Sequence, residues 1–124
     1  MKTLLFIPFF FMCSMVIGQS SKIIGTPIKI RKLEVAQNDF PKQMSWSEAS
    51  DACANLGSGW RLPTKDELNL MYKNKAKIGG FASSYYWSSS EYDFGSAWLQ
   101  DFGYGLRYGS NEGSSFNVRA IRAF

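Results

Sequence analysis

The ten residues "GWRLPTKDEL" at 59–68 bring a tryptophan, an arginine, a proline and two adjacent carboxylates together. Paired carboxylates invite an acid/base reading, one giving a proton while the other takes one. Neighbours on a helix point about 100° apart, however, and do not share a cleft. Local chemistry offers another account. Pro63 drives Leu62 into an extended conformation, and Thr64 with Glu67 spells a capping box that starts a helix running to about Tyr72. Asp66 and Glu67 then occupy a first helical turn, where the helix dipole favours negative charge. The stretch reads as a joint: Trp60 packs in the core, and Arg61, Pro63, Thr64 and Glu67 are structural.

Other catalytic constellations are absent from the sequence. There is no histidine, so a His general base, a Ser-His or Cys-His nucleophile and a histidine zinc ligand are excluded. The two cysteines are Cys13 and Cys53. Cys13 lies in an apolar start, which leaves Cys53 without a disulfide partner and too few thiolates for a metal cluster. No GxxxxGK[ST] phosphate loop and no regular calcium loop occurs. No enzymatic activity, cofactor or metal is expected.

Chemistry suited to recognition is concentrated later. Residues 81–108, "FASSYYWSSSEYDFGSAWLQDFGYGLRY", interleave aromatics with Gly and Ser. Aromatic faces stack on sugar rings, and nearby polar groups fix ring orientation. The candidates are Tyr92, Trp98, Tyr104 and Tyr108, with Glu91, Asp93, Asp101, Arg107 and Asn111 as polar partners. The competing reading makes these aromatics core: it fits Trp60 and Trp87 well, and stays open for Tyr104 and Tyr108, which glycines flank. Lys73, Lys75 and Lys77 stand two apart, so an extended backbone would align three ammonium groups against an anionic polysaccharide. They read equally as a solvated loop, with Lys73 near a helix C-terminus.

These residues need elements to position them. The start, "MKTLLFIPFFFMCSMVIGQS", has a lysine, an apolar run and Gly18, and is too short to span a bilayer. It reads as a secretory signal over 1–18, so an exported protein is expected: periplasmic, surface-bound or released. Residues 19–27 follow as a flexible leader, and 28–124 as one domain. Cleavage takes only Lys2 from a formal charge of +4, a mild excess that offers no basic face to nucleic acid. After cleavage no transmembrane segment is expected. "IKIRKLEVAQ" (28–37) predicts a first strand. "SWSE" predicts a helix capped by Ser45 and Glu48, with Ala49, Ala52, Cys53 and Leu56 as one apolar stripe. Cys53 is then buried and inert. "YYWSSSEY" and "SAWLQDF" predict strands, as does "SFNVRAIRAF" (115–124). On that last strand Arg119 and Arg122 face opposite sides. The inward one needs a carboxylate, for which Glu67 and Asp66 are the nearest candidates.

The strings "MSWSEASDACANLGSGWRLPTKDEL", "YYWSSSEY", "AWLQDFGYG" and "VRAIR", in this order, resemble the Lcl C-terminal domain family, over residues 33–124. Its markers here are Gly59 to Thr64, Trp87-Ser88-Ser89 and Val118 to Arg122, which read as scaffold. The resemblance implies an α+β, C-type-lectin-like fold, related to the formylglycine-generating sulfatase activators and to phage and retroelement variable proteins. It implies two helices packed on a small antiparallel sheet, with paired N- and C-terminal strands and a loop-rich upper region. The eponymous adhesin is taken to bind sulfated glycosaminoglycans through this domain. Here no collagen-like repeat precedes it, the cysteine pair that binds copper in the formylglycine relatives is missing, and no Glu-Pro-Asn or Trp-Asn-Asp string suggests a calcium-dependent site. Two function classes stand: a non-catalytic module binding a glycan or surface protein, and a structural subunit of an envelope or surface complex. Oligomeric state is not readable from these residues.

Overall fold

The computed structural model describes residues 20–124, so the apolar start and Cys13 lie outside the described residues. Residues 20–24 are helical (α1). Then follow β1 (Ile28–Ile30), β2 (Leu33–Val35), α2 (Trp46–Ala54), α3 (Lys65–Lys73) and α4 (Lys75–Ile78). The chain ends through β3 (Tyr85–Asp93), β4 (Ser96–Asp101), β5 (Arg107–Asn111) and β6 (Ile121–Ala123). There are two antiparallel sheets, ordered β1-β2-β6 and β3-β4-β5.

Both predicted capping boxes form. The Ser45 Oγ accepts from the Glu48 N–H while the Glu48 carboxylate accepts from the Ser45 N–H, and Thr64 with Glu67 repeats the pattern. Each box satisfies amides that the first helical turn leaves without partners. The α2 stripe is as expected: Ala49 and Cys53 are fully buried, and Ala52 and Leu56 pack beside them.

Three expectations change. The strand over 28–37 is a hairpin, because Arg31 turns at φ 54° between β1 and β2; a two-residue loop needs such positive φ. β2, not β1, pairs with the chain-terminal strand, Val35 opposite Ile121. The last strand contracts to β6, since Phe116 and Asn117 make isolated bridges to Met44 and Tyr86 and leave the ladder. Ahead of β1, Gln37 and Asn38 donate backbone hydrogen bonds to the Ile24 and Ile23 carbonyls, and Ile24 packs on the core.

Two clusters make up the interior. One joins α2 to Trp60, Leu62, Trp87, Leu99 and Val118. The other joins Leu68 and Met71 of α3 to Val35, Tyr86, Phe102 and Ile121. Tyr86 and Trp87 are consecutive on β3 and enter different clusters, as strand alternation demands. The β3-β4-β5 sheet is therefore covered by α2 on one face and α3 on the other.

The 59–64 joint ties these parts together. Arg61 exchanges both backbone hydrogen bonds with Ile121 at 2.9 Å, and the Pro63 carbonyl accepts from the Ser89 N–H. The Trp87 indole donates to the Met44 carbonyl, and the Ser88 hydroxyl to the Trp98 carbonyl. Arg119 and Arg122 do face different surroundings. The partner expected for the inward one is wrong, however. Arg119 is buried and pairs with Asp39 at 2.6 Å, its guanidinium also donating to the Ala36 and Gly79 carbonyls. Glu67 is engaged by Arg61, and Asp66 points to solvent near Arg107. Arg122 is half-exposed and pairs with Glu34.

Candidate functional site

The register of β4 with β5 decides which candidates share a surface. Trp98 lies opposite Gly109, and Gln100 opposite Arg107, so these four residues occupy one face. Leu99 lies opposite Tyr108, which puts Tyr108 on the reverse face with Tyr85, their rings 5.9 Å apart. Consecutive in sequence, Arg107 and Tyr108 cannot serve one ligand from the same side.

On the Trp98 face a compact surface forms. The Tyr92 ring meets Trp98 edge-on at 4.7 Å and lies over Gly109. A Cβ at 109 would come within 2.4 Å of the Tyr92 ring, so the glycine is what lets the ring lie down on the strand. Tyr92 remains 52% exposed. The Lys65 ammonium stands 4.9 Å above the Trp98 ring, a cation–π contact from the first turn of α3. Arg107, at the edge of the patch, comes within 3.9 Å of Asp66. Below them Gln100 is buried, donating to Asn69 Oδ1 and the Gly105 carbonyl, while its own Oε1 has no partner among the described residues.

The remaining candidates disperse. Glu91 and Asp93 are exposed on the outer part of β3. Tyr104 is 84% exposed in the β4–β5 turn. Asp101 is not an exposed ligand group: it is buried and accepts from the Gly103 N–H within its own turn. Asn111 accepts from the Gly113 N–H in the same way. The lysine ladder does not form. Lys73 closes α3, and Lys75 and Lys77 lie in α4, where the Lys75 ammonium donates to the Phe102 carbonyl and sits over Tyr72. Helical backbone replaces the extended one that would have aligned them. Lys65 and Gly109 were missed; a glycine inside a strand beside aromatics was the available signal for the second.

Cys53 and Glu67 are among the groups whose acidities are shifted outside this surface. Burial pushes the Cys53 thiol up to about 12. The Arg61 hydrogen bonds, joined by the Thr64 amide, hold the Glu67 carboxyl below the usual carboxylate range. Among the described residues no cluster of His, Cys, Asp or Glu could hold a metal, and no helix is long and apolar enough to cross a membrane.

Helices α2 and α3, two small antiparallel sheets and a last strand paired with β2 define a C-type-lectin-like domain. Botrocetin matches it with a TM-score of 0.62 at 9% identity, over 81% of this chain and 98% of that one. The snake venom toxin convulxin matches at 0.61 and 11%, over 81% and 96%. An antagonist of the collagen receptor integrin alpha2beta1 matches at 0.58 and 11%, over 79% and 97%. The family is closer at hand: the Lcl C-terminal domain model matches residues 27–122, and the chain belongs to that family. No curated protein matches.

Proposed function

We propose that this chain is an exported, non-catalytic binding module that takes a neutral glycan at the cell surface on Tyr92, Trp98 and Arg107. The observation that carries the reading is the Tyr92 ring, half-exposed yet fixed between Trp98 and Gly109. A rigid aromatic face loses little freedom when a sugar ring stacks on it. Arg107 and Asp66 supply donors and acceptors for hydroxyl groups alongside. Charge favours a neutral ligand over a sulfated one. On the patch itself Arg107 faces Asp66 and the Lys65 ammonium is held over the Trp98 ring, which leaves no free cluster of cations there for sulfate groups among the described residues.

A glycan array with the purified protein identifies the ligand, and titration of variants places it. Tyr92→Ala, Trp98→Ala and Arg107→Ala should each weaken binding by about 1–2 kcal/mol. Tyr104→Ala, in the β4–β5 turn, and Tyr108→Ala, on the reverse face, should bind as the parent does. Thermal melts alongside separate lost contacts from lost folding. Full binding by the Tyr92→Ala, Arg107→Ala double variant would reject the surface. A second reading, a subunit of a surface assembly, draws on a different feature: the wholly exposed Phe94 at the β3–β4 turn.

A further inference from the structure

We infer that the β3–β4 tip of one copy of this chain docks into the groove beside α2 of a second copy. The tip is a knob without a socket. Phe94 is 103% exposed, so its ring rests on nothing among the described residues. Asp93 precedes it and Glu91 lies two residues further back, both exposed. An aromatic in water costs transfer free energy that burial would recover.

The groove is the matching socket. It encloses about 790 Å³, within the range of well-formed ligand sites. Phe40, Pro41, Ala52 and Leu56 give it apolar walls, and the exposed Lys22 and Lys42 line it as well. Its one carboxylate, Asp39, is already engaged by Arg119 and Tyr86. An apolar slot rimmed by Lys22 and Lys42, neither in a salt bridge among the described residues, selects an aromatic side chain carried beside carboxylates. The chain presents that combination at Asp93-Phe94, with Glu91 two residues before Asp93. Charge complementarity between the two patches commits the occupant to a second copy.

Tip and groove are separate patches of one molecule. The tip is tied to the start of α2, since Glu112 donates to the Gly95 carbonyl and accepts from the Trp46 N–H. The groove runs along α2 to Asn55 and Leu56. The contact joins two different patches, so it closes as a two-fold pair with both tips docked, or repeats into a ring or an open head-to-tail chain. It uses no residue of the glycan surface, so either proposal can fail alone.

Sedimentation velocity on the purified protein over a range of concentrations, at low and high salt, tests this. Association should grow with concentration and weaken with salt. Phe94→Ala, and separately Lys22→Glu with Lys42→Glu, should each weaken it roughly tenfold or more, with unchanged melting temperature because all three side chains are exposed. Mixing the two variants is the discriminating arm. Each keeps one intact half, so the mixture should form dimers that grow no further. A protein that stays monomeric at every concentration would overturn the inference, including the case in which residues before 20 fill the groove. So would association that both variants leave untouched, or a mixture that forms no dimer.

Discussion

Cys53 is the simplest residue to test. With its thiol pushed up to about 12 by burial, almost none is thiolate at neutral pH, and thiolate is the reactive form. Labelling by a thiol reagent should be slow in the folded protein and fast in denaturant; rapid labelling of the native state would contradict the packing. Glu67 carries a pH dependence whose sign follows from its lowered acidity. A carboxyl depressed in the folded state stabilises above its unfolded value, near pH 4.3, and loses that contribution as pH falls through the folded value. Glu67→Gln keeps a capping-box acceptor but removes the charge facing Arg61, so it should lower stability by up to about 1 kcal/mol near pH 7. The difference should vanish in acid, which urea melts at several pH values would show. Asp39 is a harsher case. Asp39→Ala leaves the Arg119 guanidinium buried without its counter-charge and should cost about 3–5 kcal/mol in the same assay. Removing both partners, with Arg119→Met, should recover part of that loss.

At the scale of elements, what could be read in advance was what is encoded locally. The "SWSE" and "TKDE" boxes name both ends of their own hydrogen bonds, and both form. The turn at Arg31 was not readable, because neither it nor Lys32 is the Gly or Asn that announces a hairpin. The lysine spacing at 73–77 misled for a related reason. Period-two charge does not select a strand unless something apolar alternates with it, and here Lys75 gains a carbonyl and a ring by staying helical. For the binding surface, residue types were legible but the face was not, since it depends on the register of β5 against β4. Two glycines test that register. Gly109→Ala should lift the Tyr92 ring and weaken glycan binding about as far as Tyr92→Ala does. Gly105→Ala, at φ 85° and 2.5 Å from the Tyr72 ring, should cost more than about 1 kcal/mol of stability and leave the ligand surface in place.

For the whole molecule, the two sheets are joined by the bridges at Arg61–Ile121 and Tyr86–Asn117 and share the layer between α2 and α3. They should unfold together: fluorescence and circular dichroism melts should coincide, and separate transitions would show that the joint does not couple them. Where the segments 35–40 and 116–122 meet has a further consequence. Glu34 reaches Arg122 across 88 positions and Asp39 reaches Arg119 across 80, while Val118, Ala120 and Ile121 complete both apolar clusters. A ribosome that has delivered only the first hundred or so residues has delivered neither closing strand. Helices can flicker early, but the interior shuts only once residues 116–122 have arrived, and closing so long a loop makes the domain a slow folder for its size. Until then the chain stays open along its length, which is the condition in which a polypeptide can still be threaded through a narrow channel.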